Sequence, residues 1–248
     1  MLQDHQQLRE RIEAQLADAE KSCPQRAQCL SAFEDPSHEC RCNETRVRAF
    51  RALASGLPRE YWDAEAMEPE MNLENFEVCR AYAENLSNAF KHGLSLLLTG
   101  ANGVGKTSCA SIILLKHLGR GDRGAYVVWT DFLLSLNRKP KGEERGLMNL
   151  VYLTPLLVLD EIGKDLEGMS SAKTLLESIV RRRRGGYLPT IMISNLTRQE
   201  LEAHYGATFA SLLAGKYKVL PFKNGDYRKE GGVTQTTSWR QLLEGEKQ

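Results

Sequence analysis

A glycine-rich loop between an apolar run and a helical pattern limits the possible folds of this chain more than any other feature. Residues 100–107 read Gly-Ala-Asn-Gly-Val-Gly-Lys-Thr and fill every position of the phosphate-loop pattern G-x-x-x-x-G-K-[ST]. The run 94–99 predicts a buried strand before the loop, and residues 106–118 predict a helix after it. A loop of this kind turns backbone N–H groups inward around phosphate oxygens. The sequence therefore predicts a site for a nucleoside triphosphate.

Individual residues of the loop have separate expected roles. Lys106 is expected to contact the β- and γ-phosphates, and the Thr107 hydroxyl to bind Mg²⁺. The other predicted nucleotide contacts come from the loop and the start of the helix, at Gly100, Asn102, Gly103, Val104, Gly105 and Ser108. The expected cofactors are thus ATP and Mg²⁺.

A second apolar run ends in two carboxylates. Residues 156–159 read Leu-Leu-Val-Leu and are followed by Asp160 and Glu161. A continuous apolar strand suits a parallel sheet that is covered on both faces, and ligands bind at the carboxyl ends of such strands. Asp160 would support Mg²⁺, and Glu161 would orient or deprotonate an attacking water. The alternative is an ordinary strand that ends in a solvated acidic pair.

The rest of the chain predicts an α/β domain with a smaller module before it. Strands are predicted at 125–129, 188–194 and 217–221, with helices between them, which indicates a parallel sheet with helices on both faces. A single helix is predicted over 72–92. The breaker cluster Ser55-Gly56-Leu57-Pro58 favours a division into an N-terminal module, 1–58, and an ATPase domain, 59–248.

Composition limits the class of protein and the cellular location that we expect for this chain. The 248 residues are 42% hydrophobic and 26% charged, which is typical of globular proteins. The sequence has no apolar stretch of transmembrane length and no signal-peptide pattern, so a cytoplasmic protein without membrane contact is expected. A net charge of +1 means that any nucleic-acid binding must come from local patches.

Two clusters outside the nucleotide motifs have alternative interpretations. Cys23, Cys29, Cys40 and Cys42, with His38 as a substitute, either hold a tetrahedral Zn²⁺ or remain unliganded thiols. Their spacing, five residues within the first pair and one within the second, departs from the usual two to four. The run Arg181, Arg182, Arg183 and Arg184 ends a predicted helix. It either complements the helix dipole or contacts nucleic-acid phosphates or a neighbouring subunit's ATP.

The ordered motifs resemble those of the AAA+ ATPases in the DnaC/DnaI helicase-loader and IstB transposition-helper group. Further similarity lies in the Ser55–Pro58 joint, the segment Tyr82-Ala83-Glu84-Asn85, the segment Gly225-Asp226-Tyr227-Arg228 and the cysteine positions. The resemblance implies that Asn195, at the end of the strand 188–194, senses the γ-phosphate. The alternative interpretation is that Asn195 simply begins the turn before Thr197.

The resemblance also implies partners. A loader would bind a hexameric replicative helicase through its N-terminal module and single-stranded DNA through its ATPase domain, with possible self-assembly on the helicase. An IstB-like helper would instead grip duplex DNA, and a nucleotide-switched adaptor would show little turnover. Loaders place arginines in a pattern like A-R-I-x-x-R-L after the sensor strand, but residues 207–213 contain none. A trans-acting arginine from this helix is therefore not expected.

Overall fold

The computed structural model describes residues 48, 50–66, 72–140, 142–166 and 171–223. The chain divides into two compact units, residues 1–55 and 56–248, and the sheet and helices named below belong to the second. The predicted domain boundary after Pro58 stays a prediction. Several predicted features lie outside the described residues, namely Cys23, Cys29, Cys40, Cys42, His38 and the segment 225–228.

Within the described residues, the second unit contains five strands and eight α-helices. The strands are β1 (Ser95–Thr99), β2 (Gly124–Val128), β3 (Leu156–Ile162), β4 (Thr190–Ser194) and β5 (Tyr217–Pro221). The helices are α1 (Leu73–Glu84), α2 (Leu86–His92), α3 (Lys106–Gly119), α4 (Trp129–Arg138), α5 (Arg145–Leu153), α6 (Ser171–Gly185), α7 (Arg198–Tyr205) and α8 (Ala207–Leu213). Two short 3-10 turns, Arg59–Tyr61 and Ala64–Ala66, precede α1.

All five strands form one parallel sheet in the order β2-β3-β4-β1-β5. Because the strands are parallel, the chain crosses over between consecutive strands, and each crossover carries helices on a face of the sheet. The predicted parallel α/β architecture is confirmed. Because the strands are parallel, the loops after β1, β3 and β4 meet at the same, carboxyl edge of the sheet.

Both faces of the sheet are covered, as the continuous apolar strands require. Side chains alternate between the two faces of a strand. On one face, Leu97, Leu159 and Met192 belong to a core that also includes residues of α4 to α8. Leu96 and Leu98 point to the opposite face and are at most 2% exposed, and α3 packs on β2, β3 and β4. This double burial holds the ends of β1, β3 and β4 in fixed positions.

Two elements differ from the prediction. The single helix predicted over 72–92 is two helices, because Asn85 leaves the helical conformation and its side-chain amide donates to Ala81 O at 2.9 Å. A local side-chain bond of this kind competes with the helical backbone pattern. Helix α5 has no counterpart in the prediction, and Val151 is the one fully enclosed residue among its described side chains.

None of the helices in the described ranges is long and apolar enough to cross a membrane.

Candidate nucleotide-binding site

The phosphate loop connects β1 to α3 and needs its glycines for backbone geometry. Gly100, Gly103 and Gly105 have φ angles of 133°, 78° and 93°. Residues with a side chain rarely adopt this left-handed region. A Cβ atom on Gly100 would also lie 2.3 Å from the carbonyl oxygen of Phe222. The loop can therefore bring its backbone close to a ligand in a way that other residues would prevent.

Lys106 lies at the first position of α3 with its side chain almost fully buried. Its ammonium donates to Gly100 O at 2.6 Å, to Ala101 O, and to Asn195 Oδ1 at 3.1 Å. The structure thus brings together the loop lysine and the polar residue at the end of β4, 89 positions apart in sequence. These three acceptors are neutral oxygens, and a phosphate would be a stronger partner for the ammonium.

Asp160 is buried at the end of β3 beside the start of α3. Its Oδ2 accepts hydrogen bonds from Thr107 Oγ1 at 3.1 Å and from the Tyr126 hydroxyl, and its Oδ1 accepts from the Glu161 N–H at 2.6 Å. Burial raises the pKa of the Asp160 carboxyl above its usual range, and the three hydrogen bonds oppose that rise. A desolvated carboxylate of this kind gains from a nearby cation.

Glu161 lies at an irregularity in the sheet. Leu159 pairs with Met192 and Ile162 with Ser194, so β3 contains one residue more than β4 over this span. Glu161 takes a φ of 62°, uncommon for a residue with a side chain. Bulges of this kind re-aim side chains next to active sites. The Glu161 carboxylate pairs with the Lys164 ammonium at 2.8 Å, and both side chains are partly exposed.

These groups line a cavity of about 430 Å³, a volume that suits a nucleotide. The predicted site residues on its wall are Asn102, Gly103, Val104, Gly105, Lys106, Thr107, Ser108, Asp160, Glu161 and Asn195. The prediction missed the rest of the lining, which is Pro58, Glu60, Tyr61, Tyr126, Val128 and Ile193. Pro58 ends the Ser55–Pro58 joint, and no motif marks the other five positions. All six reach the cavity through the sheet order and the turn before α1.

The donors and acceptors present fit a magnesium nucleotide. The Thr107 hydroxyl and the Asp160 carboxylate lie within 3.1 Å of each other, and both are the hard oxygen ligands that Mg²⁺ prefers. Lys106 and the glycine-rich backbone supply donors for phosphate oxygens. Among the described residues no cluster of three His, Cys, Asp or Glu side chains could hold another metal, and the predicted zinc ligands lie outside this part of the chain.

Among known proteins, a curated sequence matches less than half of this chain, and solved structures match a larger share of it. No protein-family model matches the chain. The replicative helicase loader DnaI of Bacillus subtilis (strain 168) is 29% identical over 115 residues, which are 46% of this chain and 37% of DnaI. The chain therefore matches little more than a third of the length of this curated relative.

Solved structures match at low sequence identity over a larger share. The crystal structure of the DnaC helicase loader has a TM-score of 0.59 at 23% identity, over 67% of this chain and 100% of that one. A DnaI structure has a TM-score of 0.55 at 18% identity, over 69% and 94%. The replication initiator DnaA bound to AMPPCP and single-stranded DNA has 0.58 at 20% identity, over 74% and 56%.

The chain shares its fold with these solved structures, which are AAA+ P-loop domains. Within this fold, the chain resembles the DnaC/DnaI-type helicase loaders, as its ordered motifs indicate.

Two polar residues outside the motifs support the walls of this cavity. Asn72, with a φ of 54°, donates to Val104 O at 3.3 Å and accepts from the Lys223 N–H at 2.9 Å, so it ties the phosphate loop to the segment after β5. Asp165 accepts hydrogen bonds from Trp129 and Tyr205. Asp165 thereby anchors the segment that follows Glu161. Neither residue forms part of a sequence pattern that predicts such a role.

The arginine run at the end of α6 does not form one continuous surface. The Arg183 side chain is 0% exposed. Its guanidinium donates to five neutral acceptors, which are Thr190 Oγ1 and the carbonyl oxygens of Val151, Thr154, Pro155 and Pro189. The prediction that Arg183 contacts nucleic acid is therefore wrong, because the side chain is enclosed and its donors are in use.

The other three arginines differ among themselves. Arg181 is exposed. Arg182 is exposed too and lies over the Tyr152 ring, 4.7 Å from its centroid. Arg184 is half-buried and donates to the carbonyl oxygen of Leu212 at 2.9 Å, at the end of α8. Arg181 and Arg182 are thus the members of the run that are best placed to reach a ligand from solvent.

Proposed function

We propose that this chain is an ATP-dependent helicase loader, an AAA+ ATPase that acts on a hexameric replicative helicase and on single-stranded DNA. One observation carries the proposal: Lys106, Asp160, Glu161 and Asn195 line a single cavity of nucleotide size. The likeness to DnaI, itself a replicative helicase loader, supports the choice among AAA+ functions.

Several residues of the cavity would contribute to ATP hydrolysis, each in a different way. Lys106 would offset the charge of the β- and γ-phosphates, and Thr107 and Asp160 would hold Mg²⁺, which when bound neutralises charge that develops on the phosphate oxygens. Asn195 would sense the γ-phosphate. Glu161 would accept a proton from the water that attacks phosphorus as the bond to ADP breaks.

The Glu161–Lys164 pair bears on this mechanism. Glu161 can act as a base only when its carboxylate is free of the Lys164 ammonium, to which it lies 2.8 Å away. The pair is partly exposed, and ion pairs of this kind are worth roughly 0–1 kcal/mol. Nucleotide entry could therefore displace Lys164 at little cost in free energy.

A second candidate function is a nucleotide-switched adaptor with little turnover. The observation that favours it is helix α8, where loaders are expected to carry arginines. In this chain α8 contains none, and Phe209, Leu212 and Leu213 are buried in the core. An arginine supplied from a neighbouring subunit is worth 10³–10⁵ in rate, so its loss would leave a binding protein with slow hydrolysis. An IstB-like helper that grips duplex DNA is the third possibility.

Four measurements on the full-length protein separate these functions. A fluorescent ATP analogue tests nucleotide binding, and the absence of binding would overturn all three. A loader is expected to retain a replicative helicase on co-purification and to prefer single-stranded over double-stranded oligonucleotides. An adaptor would bind nucleotide and helicase with turnover that neither DNA nor helicase raises, and a preference for duplex DNA would favour the IstB-like helper.

We also propose that Cys23, Cys29, Cys40 and Cys42 hold one Zn²⁺, with His38 as the substitute ligand. Elemental analysis of the purified protein is expected to find about one equivalent of zinc, as a tetrahedral site requires. A protein without zinc, isolated under reducing conditions, would leave the four thiols unliganded.

A further inference from the structure

Tyr126 lies in the nucleotide cavity although no motif includes it. It belongs to β2, which pairs with β3 so that Val128 lies opposite Asp160. Tyr126 is two residues before Val128 and therefore shares its face of the sheet. Its side chain is 8% exposed, it lines the cavity, and its hydroxyl donates a hydrogen bond to Asp160 Oδ2.

This hydroxyl acts on the oxygen that faces Thr107. Asp160 Oδ2 accepts from both the Thr107 and Tyr126 hydroxyls, while Oδ1 accepts from the Glu161 backbone. Thr107 and Glu161 belong to the two nucleotide motifs, so Tyr126 is the donor that comes from a different strand. With two donors on Oδ2 and one on Oδ1, the carboxylate is restrained at both oxygens, and Tyr126 strengthens the restraint on the oxygen nearest Thr107.

A purely structural role explains the position less well. A phenylalanine ring would fill the same space as Tyr126 without a buried hydroxyl, so filling the space does not require a tyrosine. A buried Tyr hydroxyl needs a partner. Here the partner is the carboxylate beside the Thr107 hydroxyl.

We propose that Tyr126 is a positioning residue for Mg²⁺, whose hydroxyl holds the Asp160 carboxylate turned toward the Thr107 side of the cavity. The inference rests on the proposed nucleotide binding and extends it to one side chain. Residues that orient a metal's ligands typically change metal affinity 10- to 100-fold when they are replaced. Tyr126 should therefore matter for the magnesium form of the nucleotide and not for the nucleotide alone.

The test compares Tyr126→Phe with Tyr152→Phe, which removes a hydroxyl that bonds to Ser178 outside the cavity. Affinity for a fluorescent ATP analogue is measured on the full-length protein in Mg²⁺ and in EDTA. Tyr126→Phe is expected to lose about tenfold in affinity in Mg²⁺ and to equal the wild type in EDTA. Tyr152→Phe is expected to equal the wild type in both.

Equal losses in Mg²⁺ and EDTA would overturn the proposal and assign Tyr126 to structure. Wild-type affinity in both conditions would overturn it as well. If Tyr126→Phe is less stable than the wild type, the rise in its Tm with nucleotide and Mg²⁺ is compared with the rise in its Tm with nucleotide and EDTA. The proposal is contradicted if these two rises differ by as much in the variant as they do in the wild type. A wild-type protein that binds no nucleotide would instead defeat the proposed function.

Discussion

The two edges of the sheet each contain a buried cation, and the two cations differ in what surrounds them. At the carboxyl edge, Lys106 is 5% exposed and lines the nucleotide cavity. At the amino edge, Arg183 is 0% exposed and bonds to oxygen atoms at the ends of α5, β3 and β4. Burial lowers the pKa of the Arg183 guanidinium to about 10, so it stays charged at neutral pH.

The comparison shows that burial of a charge does not by itself indicate a ligand site. Arg183 has a planar fork of donors, and five neutral oxygens surround it within the fold. Lys106 adjoins a space of about 430 Å³ that a ligand can fill. We therefore expect changes at the carboxyl edge to alter binding and chemistry, and changes at the amino edge to alter stability.

The largest expected effect is on turnover at the carboxyl edge. Glu161→Gln removes the group that would take a proton from water, and the loss of such a base costs about 10²–10⁴ in rate. Nucleotide affinity and the free energy of unfolding are expected to match the wild type. Glu202→Gln is a matched control, since Glu202 also forms a surface pair, with Arg198 at 2.8 Å. Wild-type turnover in Glu161→Gln would exclude Glu161 as the catalytic carboxylate.

The second expected effect is on nucleotide affinity. Lys106→Ala removes a charged donor to the phosphates, and affinity should fall about a hundredfold, which corresponds to the ~3 kcal/mol of a strong hydrogen bond between charged groups. Calorimetric titration with ATP and Mg²⁺ measures this. Lys116→Ala, an exposed lysine on the same helix, controls for lost charge. Unchanged affinity in Lys106→Ala would contradict the phosphate-loop assignment.

The third prediction concerns the opposite, amino edge of the sheet. Arg183→Met leaves several buried carbonyl oxygens without their donor, and the free energy of unfolding should fall by roughly 3 kcal/mol. Arg181→Met, two positions away and exposed, should change it by less than about 0.5 kcal/mol. Urea unfolding of both variants measures the difference. Equal stabilities would mean that the Arg183 hydrogen bonds contribute nothing net to the fold.

These two cations also illustrate what the sequence could predict. Lys106 lies in an ordered motif, and the strand before it and the helix after it are fixed by apolar pattern, so its location at the end of a parallel strand followed directly. Arg183 lies in a run of four identical residues, and the run does not show which of them faces inward. Which arginine faces inward depends on how α6 packs against α5 and β4, and the sequence pattern does not predict α5.

The nucleotide cavity was predictable only in part for a similar reason. Its motif residues occur in sequence patterns that the phosphate chemistry requires. Tyr126 and Tyr61 reach it because β2 lies beside β3 and the turn before α1 lies near the loop. The order of the strands and the path of the loop depend on long-range packing, and a local sequence pattern does not determine this packing.

The smallest expected effect concerns the two exposed arginines of the run, Arg181 and Arg182. If they contact DNA phosphates, the double substitution to Ala should weaken single-strand binding and reduce the salt dependence of log K by about 0.7 per lost contact. The double variant Lys91→Ala and Lys116→Ala removes two other exposed charges and is the matched control. Binding is measured by fluorescence anisotropy at several salt concentrations, with ATP affinity of the monomer expected to stay constant. Equal losses in both double variants would indicate unspecific attraction. No loss in either would leave the exposed arginines, like Arg183, without a role in DNA binding.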